Sequence, residues 1–315
     1  MIQILILIAG LALIVIGSDL LVDGSSSVAK RSGISDFVIG LTIVGMGTSA
    51  PEMVVSFLGA IGGNSEISLG NVIGSNIFNT LLIAGVTALV LPIGITRENR
   101  RQDIPFNIAI ILLLAVLGLN ASITGHGSNM LSRIDGLLML ACFAFYMYRS
   151  FVSGKSDEEV SSETKSLGIS VLMIMGGLAG LIFGGRLFVN SAVGIAGALG
   201  ISDKFIALTV LAGGTSLPEL ATCVVAAVKK NPSLALGNVI GSNIFNILLI
   251  LGGSAVICPL SFDSINLVDL GVLLLSALLL LLAAWTGKDS KVNRFDAALF
   301  LLCFFGYYTY LFMNI

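Results

Sequence analysis

Long apolar runs separated by short polar stretches dominate the chain. A bilayer core about 30 Å thick is crossed by about 20 apolar residues in a helix. Runs of that kind fall near residues 2–22, 36–61, 67–91, 104–120, 131–151, 167–190, 203–228, 233–258, 267–286 and 295–313. The pattern predicts an all-α polytopic membrane protein with ten transmembrane helices. The first run, MIQILILIAGLALIVIGS, lacks the basic segment that opens a secretory signal, so it reads as a retained span. The longest polar interruption, SGKSDEEVSSETKS at 153–166, is rich in serine and charge and reads as a solvated loop.

The pattern then recurs. SGISDFVIGLTIVGMGTSAPE at 32–52 matches LGISDKFIALTVLAGGTSLPE at 199–219, and LGNVIGSNIFN stands at both 69–79 and 236–246. A fainter echo pairs RIDGLLMLACFAFYMY at 133–148 with RFDAALFLLCFFGYYT at 294–309. Two five-helix halves follow, 1–152 and 167–315, joined by the 153–166 linker. Because five is odd, the halves enter the membrane in opposite senses, which is the inverted-repeat plan of many secondary transporters.

Charge fixes the expected orientation. With the N-terminus outside, thirteen Lys and Arg residues fall in inside loops, and only Arg133, Arg186 and Lys204 remain outside. The positive-inside rule then makes both termini extracellular and the 153–166 loop cytoplasmic, in a cell-membrane protein. Composition agrees: of 315 residues, 56% are hydrophobic and 11% charged, against about a quarter charged in soluble domains. The net charge of -2 and the lack of a basic patch exclude a nucleic-acid partner. The bilayer is the expected surrounding. Cys142, Cys223, Cys258 and Cys303 lie in or beside apolar runs without ligand spacing and read as buried thiols.

Candidate chemistry lies in the repeated GTSAPE and GTSLPE. Pro51 and Pro218 remove a backbone donor and crowd the carbonyls of Gly47 and Gly214, so each helix should break in mid-membrane. Non-helical backbone at that depth needs protein or a watery cavity to satisfy it. Thr48 and Ser49 precede Glu52 by four and three residues and can share its helix face, as Thr215 and Ser216 can with Glu219. Asn71, Ser75 and Asn79, with Asn238, Ser242 and Asn246, form polar stripes spaced by four. Gly70, Gly74, Gly237 and Gly241 form GxxxG edges for close helix packing. Two carboxylates among hydroxyls, amides and carbonyls make an all-oxygen site of charge -2, suited to one Ca²⁺.

Plainer readings cover much of this. Serine and threonine in membrane helices usually bond back to their own backbone, and asparagines can simply join helices. His126 falls in a predicted loop, and helix N-capping accounts for Asp36 and Asp203. The glutamates resist such an account. Each costs about 2.5–3.5 kcal/mol at a helix centre, and no basic residue lies at a matching depth.

GTSxPE followed by GNxxGSN in each half resembles the α-repeats of the calcium/cation antiporter superfamily, nearest its sodium/calcium exchanger branch. The resemblance covers essentially the whole chain. It implies that Glu52 and Glu219 are the central Ca²⁺ ligands, assisted by the carbonyls of Thr48 and Thr215. It further implies Na⁺ sites using Ser49, Ser75, Ser216, Ser242 and the carbonyls of Gly45 and Ala212, with spans one and six sliding across the core. One departure stands out: many sodium/calcium exchangers have an aspartate where this chain has Asn246, and Asn79 and Asn246 are both neutral, as in some proton-coupled relatives. The expected function is export of Ca²⁺ against inflowing Na⁺, without a cofactor. A Ca²⁺/H⁺ antiporter is the alternative within the class. An intramembrane acid/base enzyme would need a nucleophile or metal partner, and the spans hold no His/Cys cluster, Ser–His pair or HExxH motif. A passive cation channel would more naturally line its pore with rings of subunits or loops.

Overall fold

In hydrocarbon every backbone N–H and C=O must be satisfied within the protein, so apolar runs of this length fold as helices. The computed structural model describes residues 2–126, 128–153, 165–199, 212–262, 265–286 and 291–313. Helix α1 (Ile2–Ser32) is followed by α2 (Asp36–Thr48) and α3 (Ala50–Ile61), a pair bent by 50°. Then come α4 (Ser65–Val90), α5 (Asn99–Gly118) and α6 (Arg133–Ser153). The second half runs through α7 (Leu167–Ala198), a turn at Ala212–Gly214, α8 (Leu217–Val228), α9 (Pro232–Ile257), α10 (Leu267–Thr286) and α11 (Arg294–Met313). Among the described residues, eight helices are long and apolar enough to cross a bilayer, and the bent α2–α3 pair makes a ninth. The remaining expected span, 203–228, is seen as the Ala212–Gly214 turn and α8; its earlier part, with Asp203, lies outside the described residues. The 153–166 linker falls largely outside them too.

Burial sorts the helices into centre and periphery. The most apolar stretch of α9 is 94% buried and that of α4 is 78% buried, against 28% for α1 and α7 and 17% for α11. The helices carrying the repeated LGNVIGSNIFN therefore form the core, and the others present apolar side chains outward, as lipid contact demands.

Small residues set how closely helices approach. Without a hydrophobic drive between helices in lipid, association rests on packing. A Cβ on Gly17 would lie 2.8 Å from the Gly177 carbonyl oxygen, one on Gly10 2.9 Å from that of Gly184, and one on Gly24 2.8 Å from that of Ser170. As the α1 numbers rise the α7 numbers fall, so the two helices are antiparallel. This seam carries α1 to Ser32, past the expected end at 22. Lys229, just beyond α8, adds a polar anchor there, with its ammonium 2.6 Å from Asp19 and also paired with Asp23. The α2–α9 contact is tighter still: Gly237 and Gly241 lie against the carbonyls of Phe37 and Leu41. By the repeat offset, the positions facing Gly70 and Gly74 fall in 203–211, outside the described residues.

Among the described residues, four two-residue strands lace the halves together: β1 (Ile93–Gly94), β2 (Met130–Leu131), β3 (Leu260–Ser261) and β4 (Lys291–Val292). They pair antiparallel as β1–β4 and β2–β3, so each small sheet joins the first half to the second. The cap of α2 is a correction. Ser35, not Asp36, accepts the Val38 N–H, and Asp36 instead accepts from the Asn231 amide at 2.8 Å. His126 is exposed, and the four cysteines are free thiols. Only Cys223 is buried, while Cys142, Cys258 and Cys303 are half-buried, against the expectation that all four would be buried.

Candidate cation site

The site begins with two broken helices. Helix α2 ends at Thr48, Ser49 takes φ −81° and ψ 9°, and α3 restarts with Pro51 in its first turn. Ser216 repeats this before α8, with φ −90° and ψ 7°. Proline is well placed at a helix start, where its missing N–H has no intrahelical partner to lose. Each break therefore falls where the prolines predict, with the kink itself at the serine.

Glu52 and Glu219 consequently lie in the first turns of α3 and α8, at helix ends that favour negative charge. Each is 1% exposed. Neither belongs to any ion pair among the described residues. Ser49 donates to Glu219 Oε1 at 2.8 Å, and Ser216 donates to Glu52 Oε1 at 3.1 Å. The serines thus serve the opposite repeat. That corrects the expectation of one shared helix face: the kink at the serine turns its hydroxyl across the molecule. Thr215 likewise sits beside Glu52, and Thr48 beside Glu219. The outer oxygens, Glu52 Oε2 and Glu219 Oε2, are buried without a hydrogen-bond partner among the described residues.

The other expected residues surround this pair unequally. The Thr48 hydroxyl has one hydrogen to give and lies 3.0 Å from the Val44 carbonyl and 3.2 Å from Asn238 Oδ1, so it either bonds back to its own helix or ties α2 to α9. Ser242 reaches the Gly45 carbonyl at 3.4 Å. Asn71 donates to the Glu52 carbonyl at 3.1 Å and to Ser56 at 2.9 Å, fixing α3 against α4. Asn238 repeats that bond with Cys223, which stands where Ser56 does in the first repeat. Ser75 is buried on α4, and Ala212 opens the Ala212–Gly214 turn. Asn79 and Asn246 occupy wide π turns, Phe78–Ile83 and Phe245–Leu251, of a kind frequent at functional sites. Their amides bond to Asn243 and Asn76, and their Oδ1 atoms are buried without a partner among the described residues.

Four oxygens, two of carboxyls and two of amides, are thus buried without a hydrogen-bond partner among the described residues. Hard cations take such carboxylate, amide and carbonyl oxygens as ligands. No group of three His, Cys, Asp or Glu residues suited to a metal occurs among the described residues, so any oxygen shell beyond the glutamates comes from amides, hydroxyls and backbone. Asn76 and Asn243 belong to this network, and the stripe of every fourth residue passes over both. Their place inside the exact LGNVIGSNIFN repeat is the signal that marks them.

Opposed carboxyls at two helix breaks, ringed by neutral oxygens, make an all-oxygen environment of the kind that hard cations accept. This is a multi-pass membrane transporter of the cation-antiporter class, not an enzyme. The chain belongs to the family described as Sodium/calcium exchanger protein, whose profile matches residues 2–152 and 169–313. Similar proteins include the Putative antiporter CaxA of Alkalimonas amylolytica, 37% identical over 98% of both chains. Sodium/calcium exchanger MaX1 of Methanosarcina acetivorans is 32% identical, again over 98% of both. A solved structure of the sodium-calcium exchanger NCX_Mj superposes with a TM-score of 0.83 at 35% identity, covering 97% of each chain.

Proposed function

We propose that the protein exports cytoplasmic Ca²⁺ in exchange for inflowing Na⁺, by alternating access around Glu52 and Glu219. The observation that carries this is the buried, unpaired carboxylate pair, each member held by the other repeat's serine. One Ca²⁺ neutralises the pair, and so do two Na⁺. Ca²⁺ takes the two glutamates with the carbonyls of Thr48 and Thr215. Ser49, Ser75, Ser216, Ser242 and the carbonyls of Gly45 and Ala212 supply neutral oxygens for Na⁺, and Asn79 and Asn246 complete the shell. Ten spans form two inverted halves, 1–152 and 167–315, with the tenth completed by 203–228 and the linker in the cytoplasm. A cavity of about 200 Å³ lined by Pro51, Val54, Arg186, Asn190, Thr215 and Pro218 reaches the helix breaks. It lies on the Arg186 side, which the positive-inside rule makes extracellular.

A third Na⁺ would make the outward and inward steps differ by one charge, worth about 2.3 kcal/mol per 100 mV. The test is Ca²⁺ flux in proteoliposomes, with Na⁺ and pH gradients imposed separately. An imposed Na⁺ gradient should drive Ca²⁺ uptake at fixed pH, and voltage should alter its rate. Glu52→Gln or Glu219→Gln should abolish the flux while leaving folded protein, and either variant retaining more than about half of it at saturating Ca²⁺ would sink the site. Flux that ignored Na⁺ and followed pH would favour Ca²⁺/H⁺ exchange, for which the neutral Asn246 is the motivating residue.

A further inference from the structure

We infer that Asn76 and Asn243 are positioning residues: each grips the amide of the opposite repeat's asparagine, Asn246 and Asn79, so that only oxygen is turned toward the ion. The inference rests on the two-glutamate reading above.

The four asparagines meet where α4 and α9 cross, and all are at most 2% exposed. An amide can in general be turned either way round. Here the bonding removes the choice. Asn76 Nδ2 donates at 3.2 Å to the backbone carbonyl of Asn243, an atom that can only accept. Asn76 Oδ1 must therefore point the other way, where Asn246 lies at 3.0 Å, and only an N–H can face it. Asn246 Nδ2 is thereby used, and its Oδ1 is directed elsewhere, buried and without a partner among the described residues. The second arm is looser. Asn243 donates to the Thr80 hydroxyl at 2.8 Å and accepts from Asn79 Nδ2 at 3.3 Å, leaving Asn79 Oδ1 likewise without a partner among the described residues. A hydroxyl both donates and accepts, so it fixes the amide less firmly than a carbonyl does. Thr80 also has no equivalent in the second repeat, where Ile247 stands.

The chemistry follows from the dipole of the amide. Its oxygen attracts a cation, and its N–H₂ end repels one. A neutral ligand lacks the charge that would orient it, so its direction has to be supplied by its neighbours, as outer-shell partners do around bound metals. The two repeats would thus orient each other's ligands, the Asn76 arm more strictly than the Asn243 arm.

The experiment is a double-mutant cycle on full-length protein in proteoliposomes, reading the Na⁺ and Ca²⁺ concentrations for half-maximal exchange. Asn76→Leu should raise at least one of these by about tenfold or more. In an Asn246→Ala background it should add nothing, because its effect passes through Asn246. In an Asn79→Ala background its full effect should persist. Asn243→Leu should show the reverse pairing with a smaller shift. Asn76→Ala and Asn243→Ala take the place of either leucine variant that does not fold. Equal shifts in all backgrounds would reveal packing alone and overturn the proposal. So would an unchanged half-saturation for Asn76→Leu, or for Asn246→Ala, while Glu52→Gln is inactive. An active Glu52→Gln would instead overturn the underlying site.

Discussion

The antiparallel seam between α1 and α7 allows a test in which neighbouring residues serve as each other's control. Gly176 and Gly177 are consecutive on α7. A Cβ on Gly176 meets nothing within 4 Å, whereas one on Gly177 lies 2.7 Å from the Gly17 carbonyl oxygen and 2.7 Å from the Leu21 nitrogen. The shortfall against an ordinary 3.4 Å contact is 0.7 Å, and both obstructing atoms are backbone, so no rotamer relieves it. The helices must part along their length. Replacing glycine with alanine in a helix gains about 1 kcal/mol at either position. Overpacking costs about 1–3 kcal/mol at Gly177 only. The gain cancels in the comparison, so Gly177→Ala should be less stable than Gly176→Ala by about 1–3 kcal/mol. For a chain of this size that separates the melting temperatures by about 2–6 °C. Thermal melting of the purified proteins in detergent, followed by circular dichroism, reads the difference. If Gly177→Ala melted within about 1 °C of Gly176→Ala, or above it, the seam would not be the close backbone contact described here.

Two further outcomes concern the membrane ends. Burial pulls the Lys229 ammonium down, but its bonds to Asp19 and Asp23 outweigh that and hold its pKa above the usual 10.5. A raised lysine pKa stabilises fully below the ordinary value and fades only as pH climbs through the raised one. Lys229→Gln should therefore lower stability by about 1 kcal/mol or less, by the same amount throughout about pH 6–9; a loss that changed within that window would contradict the pairing. Ser156→Cys, in a chain lacking the four native cysteines, should react with an impermeant thiol reagent only when the cytoplasmic face is opened. Ready labelling of intact cells would invert the proposed topology.

Much of the fold could be read from the chain because its signals are local. Apolar runs mark the helices, and Pro51 and Pro218 mark the breaks. The two glutamates stand out through the energy of burying them. What escaped was decided by partners distant in sequence. Ser49 lies three residues before Glu52, yet its partner is Glu219, because the kink at its own backbone redirects it. No residue type announces the π turns at Phe78–Ile83 and Phe245–Leu251; they arise in the packed centre around Asn79 and Asn246. Asn76 and Asn243 sit one position off the polar stripe, and their value lies wholly in contacts across the repeats. Asp36 looked like a cap, but Ser35 takes that role and Asp36 reaches Asn231.

The crossed serines also bear on how such a protein comes to exist during synthesis. The hydroxyl that serves Glu52 is made 164 residues later, and the one that serves Glu219 was made 170 residues earlier. A nascent chain that has inserted only its first half holds a glutamate in the bilayer with none of its eventual donors. Neither half alone brings a serine hydroxyl to a glutamate, so a truncated product leaves its carboxyl without that donor. Completion of the second half, not insertion of the first, is the moment at which each glutamate meets its serine.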